Sequence, residues 1–385
     1  MKENKDIFVI PEKRISRYKI VCVFWQLLIL WRLAIKALPN AKESSNGIFA
    51  SVVKGSYVLF LLYNLALFLT FWTKSQTMVD VINRVIDVSH DLSLKFRSPP
   101  RTRLVQFTAH SSWLFVMGFS FASHVLGGFI ALLNNKNNSQ DLIFGYGNST
   151  DPNYQLNEMD PGLPKIVHAI IIIANFLNTF NWMISFLYIG TWALVFRQLF
   201  IIFYWRIQML SKCGWEMNLP TEIRTFHKIE NLVDTFNEFN GLILMFGSIT
   251  AVLYISTSVE QAMNGGHSVA QLSQKLHLVL SYIPIAAATL LVSDLHRTAN
   301  TFSSIVKEEY NRWNKAPPNR DLSEAIFGIS IVHHDIVMSN IGFKGLAFFT
   351  VTYQFVTTML GLVITYSLVV IQFFPKADNT SDQPS

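Results

Sequence analysis

The sequence predicts an all-α membrane protein, a polytopic bundle of seven transmembrane helices with its N-terminus cytoplasmic and its C-terminus extracellular. Three observations predict it. Charged residues make up 15% of the 385 and hydrophobic residues 51%, whereas soluble domains carry about 25% charged residues. The apolar residues gather into runs that reach bilayer length, about 20 residues per helix. Lys and Arg are also distributed unevenly between alternate loops. No composition break divides the chain, and 1–385 reads as a single domain.

The seven runs are Ile20–Leu38, Ser51–Thr73, Phe107–Leu133, Lys165–Phe203, Asn240–Met263, Lys275–Leu295 and Val351–Phe374. The first contains Arg32 and Lys36 near its outer end, where long side chains are expected to snorkel to the headgroups. No small-residue cleavage site follows it, so it is expected to remain as a span and not to be removed as a signal peptide. Between spans two and three, Met78, Val81, Ile82 and Val85 have helical spacing, which breaks by Pro99-Pro100. The fourth run continues through Arg206–Met209, as if its helix projected beyond the bilayer. Leu322, Ile326, Ile329, Ile336 and Val337 form an amphipathic stripe before the last span. Gly345 followed by Thr350 reads as a break and a new N-cap.

Orientation follows from the basic residues. Met1–Lys19, Lys74–Gln106, Tyr204–Phe239 and His296–Gly342 together hold 21 Lys and Arg. The alternating segments Pro39–Ala50, Asn134–Pro164, Asn264–Lys275 and Pro375–Ser385 hold 4. The positive-inside rule places the first set in the cytoplasm. Glycosylation sequons at Asn137, Asn148 and Asn379 all fall on the opposite side. A G-protein-coupled receptor would have the reverse orientation. The net charge of +6 is accounted for by this sidedness and calls for no nucleic-acid partner.

The last run ends Thr365-Tyr366-Ser367-Leu368-Val369-Val370-Ile371-Gln372-Phe373. This resembles the Thr-Tyr-(five apolar)-Gln-Phe pattern that marks insect gustatory receptors, with Ser367 as the imperfect member of the apolar five. Length, topology and long cytoplasmic loops are similar over the whole chain. The resemblance implies a homo- or heterotetrameric ligand-gated cation channel in the plasma membrane of chemosensory neurons, with the last helix of each subunit lining a central pore. It also implies a cytoplasmic anchor and pore helix over 298–374, and an outer-half ligand pocket among helices two to six, within about 51–295. Sugar-receptor members of that family typically carry Glu after the Thr-Tyr pair. Ser367 departs from this and weighs against the main sugar clade, leaving a fructose-type or a bitter-type tastant open. An odorant receptor of the same superfamily shares the topology.

On a helix Thr365, Val369 and Gln372 share one stripe. Gln372 facing lipid would leave its amide without partners, whereas a wet pore satisfies it and offers a cation a ring of partial charges. Val369 or Phe373 would supply an apolar constriction. The alternative role for Thr365, Tyr366 and Gln372 is hydrogen bonding between packed helices.

With sidedness assigned, the pocket candidates are His124 (beside Ser123), Asn175, Asn178, Trp182, Tyr254, Thr257, Gln261 and Tyr282 (with His277 on the same span). Asn175, Asn178 and Trp182 lie on one helical face. Amides with aromatic rings suit a polyhydroxylated or nitrogen-containing aromatic ligand. The same residues also serve as interhelical contacts or an interfacial belt. Asp294, His296 and Arg297 read as a salt-bridged helix end. Adjacent His333, His334 and Asp335 would point about 100° apart on a helix and so do not converge on a metal. Cys22 and Cys213 are the two cysteines, in no metal or disulfide spacing. No HExxH, Gly-x-Ser-x-Gly or P-loop pattern is present, so neither an enzyme nor a cofactor is expected.

Overall fold

A lipid interior offers no partner to a backbone N–H or C=O, so apolar runs of bilayer length must close their hydrogen bonds within a helix. The computed structural model describes residues 12–37, 48–93, 111, 114, 118, 165–212, 219–264, 269–314, 330, 334, 341–346 and 348–373. Among them are helices α1 (Glu12–Ala37), α2 (Ile48–Thr73), α3 (Ser75–Ser93), α4 (Lys165–Lys212), α5 (Leu219–Asn264), α6 (Val269–Asn314) and α7 (Tyr353–Phe373). A two-stranded hairpin, β1 (Lys344–Gly345) and β2 (Phe349–Thr350), precedes α7. Gly55–Thr73, Asn181–Ile207 and Thr221–Ser256 are long and apolar enough to cross a membrane, and Ile20–Ala34 and Tyr353–Val369 are shorter apolar stretches. The chain is a multi-pass membrane protein. The expected third span, Phe107–Leu133, lies outside the described residues apart from positions 111, 114 and 118.

Helices α4, α5 and α6 contain 48, 46 and 46 residues. At 1.5 Å per residue each is about 70 Å long, more than twice the roughly 30 Å hydrocarbon layer. The projection expected for the fourth run is present, and the fifth and sixth share it. Helix α6 runs unbroken through residue 298, with Pro284 inside it. Helix α4 packs on α6, α2 on α5, and α1 on both α2 and α4.

A column of rings along α4 holds the bundle together. Trp192 and Phe196 meet Phe236 of α5 at 5.4 and 5.5 Å, and Phe200 and Phe203 meet Phe226 at 6.0 and 6.2 Å. Near the ends of α4 and α5, buried Arg206 donates to buried Glu222 at 2.6 Å. Helix α3 continues from α2 after a bend at Lys74 and lies along α5. Its Val81, Val88 and Leu92 are buried, with Met78 and Val85 packed beside them. Of the stripe that the spacing predicted, Met78, Val81 and Val85 face this core, whereas Ile82 is exposed.

The described residues are helical apart from the bend at Lys74 and the short hairpin with the residues flanking it, in which Lys344 pairs with Thr350 and Gly345 with Phe349. Two expectations need correction. Thr350 belongs to that pairing and is not the N-cap. The N–H of Val351 also donates to the carbonyl of Phe343 at 2.9 Å, which keeps the chain extended. The cap is Thr352, whose Oγ1 accepts from the N–H of Phe355 at 3.1 Å. Arg32 does not reach outward: it is 2% exposed, enclosed by protein.

Candidate ligand pocket and pore helix

Three amides meet between α2 and α4. The Asn64 Nδ2 donates to the Phe60 carbonyl at 2.8 Å and to Asn178 Oδ1 at 3.1 Å. Asn181 Nδ2 donates to Asn64 Oδ1 at 2.6 Å. The amide of Asn64 is thus spent on Phe60 and the two other amides, while, among the described residues, Asn178 keeps donors and Asn181 keeps acceptor capacity.

One turn along α4, Trp182 is enclosed by rings: Tyr63 at 4.9 Å, Phe60 at 5.1 Å and Phe186 at 4.8 Å. Tyr254 of α5 lies 6.4 Å from Trp182 and 5.9 Å from Tyr282 of α6. Trp182 is buried, and its Nε1–H has no hydrogen-bond partner among the described residues. A buried, unspent donor beside amides and aromatic faces suits an oxygen-bearing organic ligand.

Below this cluster lies a small, partly open cavity of about 40 Å³, counted as space for the centre of a water molecule. Its lining runs from Tyr63 and Phe186 through Gly247 and Thr289 to Val351 and Phe355. The aromatic cluster and the start of α7 therefore share a wall. The hairpin beneath is held by both long helices. Asn237 of α5 donates from Nδ2 to the Gly342 carbonyl at 2.9 Å and accepts from the Lys344 N–H at 3.0 Å. His296 of α6 donates from Nδ1 to the Ile341 carbonyl at 2.7 Å. Phe343 stacks on Phe236 at 4.6 Å, and Lys344 pairs with Asp234 at 3.1 Å. Gly241 allows the approach, since a Cβ there would lie 3.0 Å from the Leu346 backbone nitrogen.

Among the described residues, helix α7 is covered along one side. Val363 and Ser367 are buried and Phe355, Met359 and Tyr366 half-buried, whereas Thr365, Val369 and Gln372 are exposed. A 21-residue apolar helix with most of its circumference uncovered is unusual within a single chain.

No family model and no curated protein sequence matches the chain. Solved structures do. The olfactory receptor OR5 of the insect Machilis hrabei superposes with a TM-score of 0.57 at 14% identity, covering 94% of this chain and 90% of the receptor. The same receptor in complex with eugenol gives 0.56 at 13% identity, covering 97% and 92%. This chain has the fold of an insect olfactory receptor. At such identities the likeness concerns the fold.

Of the eight pocket candidates, Asn178, Trp182, Tyr254 and Tyr282 belong to one cluster. Asn175, Thr257 and Gln261 lie on α4 and α5, with side chains outside the described set. His124, Asn137, Asn148 and Asn379 lie outside the described residues, as does the side chain of Phe373. Asp294 forms an ion pair with Arg197 of α4, but it lies in the interior of α6, which runs on to Asn314, so the expected salt-bridged helix end is not formed there. Sequence reasoning missed Asn64 and Asn181, the centre of the amide triad. The signal was available: Asn64 is the single amide in the span Gly55–Thr73, and a lone amide in an apolar span needs a partner.

Proposed function

We propose that this chain is a chemoreceptor subunit of the gustatory type: a ligand-gated cation channel built from four such subunits, identical or mixed. The reading places its N-terminus in the cytoplasm, its C-terminus outside, and glycans at Asn137, Asn148 and Asn379. The dendritic plasma membrane of a chemosensory neuron is its site of action. The carrying observation is the Thr365-Tyr366…Gln372-Phe373 motif on a last helix whose Thr365, Val369 and Gln372 are left uncovered by the other described residues. A tastant, sugar-like or bitter, would bind by the Trp182 cluster, and that event would bias α7 toward an open pore with Val369 or Phe373 as constriction and Gln372 facing the ion. Gating requires tighter binding to the open state, because equal affinity shifts nothing.

A second reading, an odorant receptor, is favoured by the likeness to the OR5 structures. It differs in ligand class and not in machinery. Whole-cell recording during perfusion of sugars, bitter compounds and odorants such as eugenol separates the two. A ligand-evoked cation current is expected, with permeability or gating altered in Gln372→Ala. A response carried only by G-protein signalling, with no direct current, would sink the channel.

A further inference from the structure

The small cavity beneath the aromatic cluster is a separate feature of the bundle. Tyr63 of α2, Ile189 of α4, Ser248 of α5, Thr289 of α6 and Phe355 of α7 each contribute to its wall. Asn178, Trp182, Tyr254 and Tyr282, the members of the cluster proposed to take the tastant, do not line it. Two small residues keep it open. Ala288 stands in its wall and is 1% exposed. A Cβ on Gly247 would lie 3.1 Å from Cε2 of Tyr63, so the glycine lets that ring settle against α5. The volume of about 40 Å³ is about a quarter of the roughly 150 Å³ apolar cavity that takes up benzene, which leaves room for a guest of two or three heavy atoms.

The lining divides by chemistry. Most of it is hydrocarbon, with Phe186, Ile189, Leu244 and Val292 among its members, and hydroxyls enter it from Tyr63, Ser248 and Thr289. Thr289 Oγ1 has given its proton to the Ile285 carbonyl at 2.7 Å and can only accept. Tyr63 is 1% exposed, and its hydroxyl forms no well-aligned hydrogen bond among the described residues. Ser185 beside it donates to the Asn181 carbonyl at 2.7 Å. With that proton spent, Ser185 can only accept, and the lone pairs of Tyr63 stay unclaimed. An unclaimed buried acceptor is costly, and a guest O–H that donates to it removes the cost. Water would satisfy the hydroxyl but set its other faces against hydrocarbon. A short alcohol turns its O–H to Tyr63 and its alkyl group to the apolar wall.

We infer that this cavity is a second small-molecule site, distinct from the proposed tastant pocket, and that it takes a short-chain alcohol of methanol or ethanol size. So few atoms limit the affinity, and the Kd is about a millimolar at best. The site is independent of the channel reading and adds a ligand class to it.

The test reads binding directly. Full-length protein in lipid nanodiscs is mixed with ethanol or with hexanol, and ligand-observed saturation-transfer NMR is recorded while aromatic protons, which the lipid lacks, are irradiated. Ethanol should show saturable transfer, with half-saturation in the millimolar range. Ala288→Val crowds the wall and should cut that transfer about fivefold or more. Ser248→Ala removes a hydroxyl without adding bulk and should weaken ethanol binding about threefold. Hexanol is too long for the cavity, so any transfer it shows should be the same in wild type and Ala288→Val. Thermal melts establish that each variant is folded, and Gly247→Ala, which crowds Tyr63, replaces Ala288→Val if the latter is not. Ethanol transfer equal in wild type and the crowded variant overturns the proposal. So does the absence of saturable transfer, the result of a cavity that holds water alone. A hexanol signal as sensitive to Ala288→Val as the ethanol signal overturns the size class. Intact ethanol binding without any ligand-evoked current would defeat the channel reading alone.

Discussion

Asn237 occupies a position where one side chain satisfies two backbone groups of a different element, the Gly342 carbonyl and the Lys344 N–H. Asn237→Ala leaves both without their partner in a buried setting, and each such loss costs about 1–3 kcal/mol. Thermal melts in detergent should show Asn237→Ala well below wild type. Asn237→Asp keeps the acceptor for Lys344 and should fall between; a melt unchanged in both variants would show the contact to be idle. Asn64 differs in kind. It is 1% exposed, and its side-chain bonds to other side chains run to two half-buried neighbours, Asn178 and Asn181. Asn64→Leu is expected to leave the protein expressed at the surface while shifting ligand potency about tenfold, equivalent to about 1.4 kcal/mol. Equal dose–response curves would remove the amide triad from the pocket.

At the scale of elements, the ends of α4 and α5 depend on one ion pair, Arg206 with Glu222, both nearly inaccessible. Arg206→Met alone strands a buried carboxylate and should cost about 3–5 kcal/mol in a melting experiment, whereas Arg206→Met with Glu222→Met should regain most of it. A double variant no better than the single would mean the loss came from packing. The long helices were partly legible in the sequence, because a bilayer demands apolar runs and the run of α4 visibly continued to Met209. How α5 and α6 extended was less visible, since their amphipathic parts, once outside lipid, lose the strong hydropathy signal and keep only a weak helical period. The hairpin could not be read at all. Two-residue strands have no alternation to detect, and the pairing of Thr350 with Lys344 is set by contact with α5 and α6. The shift of the N-cap from Thr350 to Thr352 follows from that pairing. The amide triad was half legible: Asn178 stood out through its shared face with Trp182, while Asn64 had no neighbour in sequence to mark it.

For the whole molecule, sidedness orders everything else, because the pocket is an outer pocket only if the basic loops face the cytoplasm. An epitope at the N-terminus should stain only after permeabilisation and one at the C-terminus on intact cells. Glycosidase treatment should shorten the protein on a gel, and the shift should vanish in a variant with Asn137→Gln, Asn148→Gln and Asn379→Gln. N-terminal staining on intact cells would invert the bundle and with it the assignment of ligand side and pore mouth.

The proline inside α6 bears on how such a bundle could transmit a small event. Pro284 cannot donate to the turn before it, so α6 bends most easily there, two residues from Tyr282 of the aromatic cluster. Twelve residues further along the same rod, His296 grips the Ile341 carbonyl at 2.7 Å. That lever arm is about 18 Å, and a swivel of about 5° at its pivot moves the grip by about 1.6 Å, more than a hydrogen bond of that length survives. A guest that pushes Tyr282 by the width of a bond would therefore release, at the far end of the arm, the latch on the segment leading into α7.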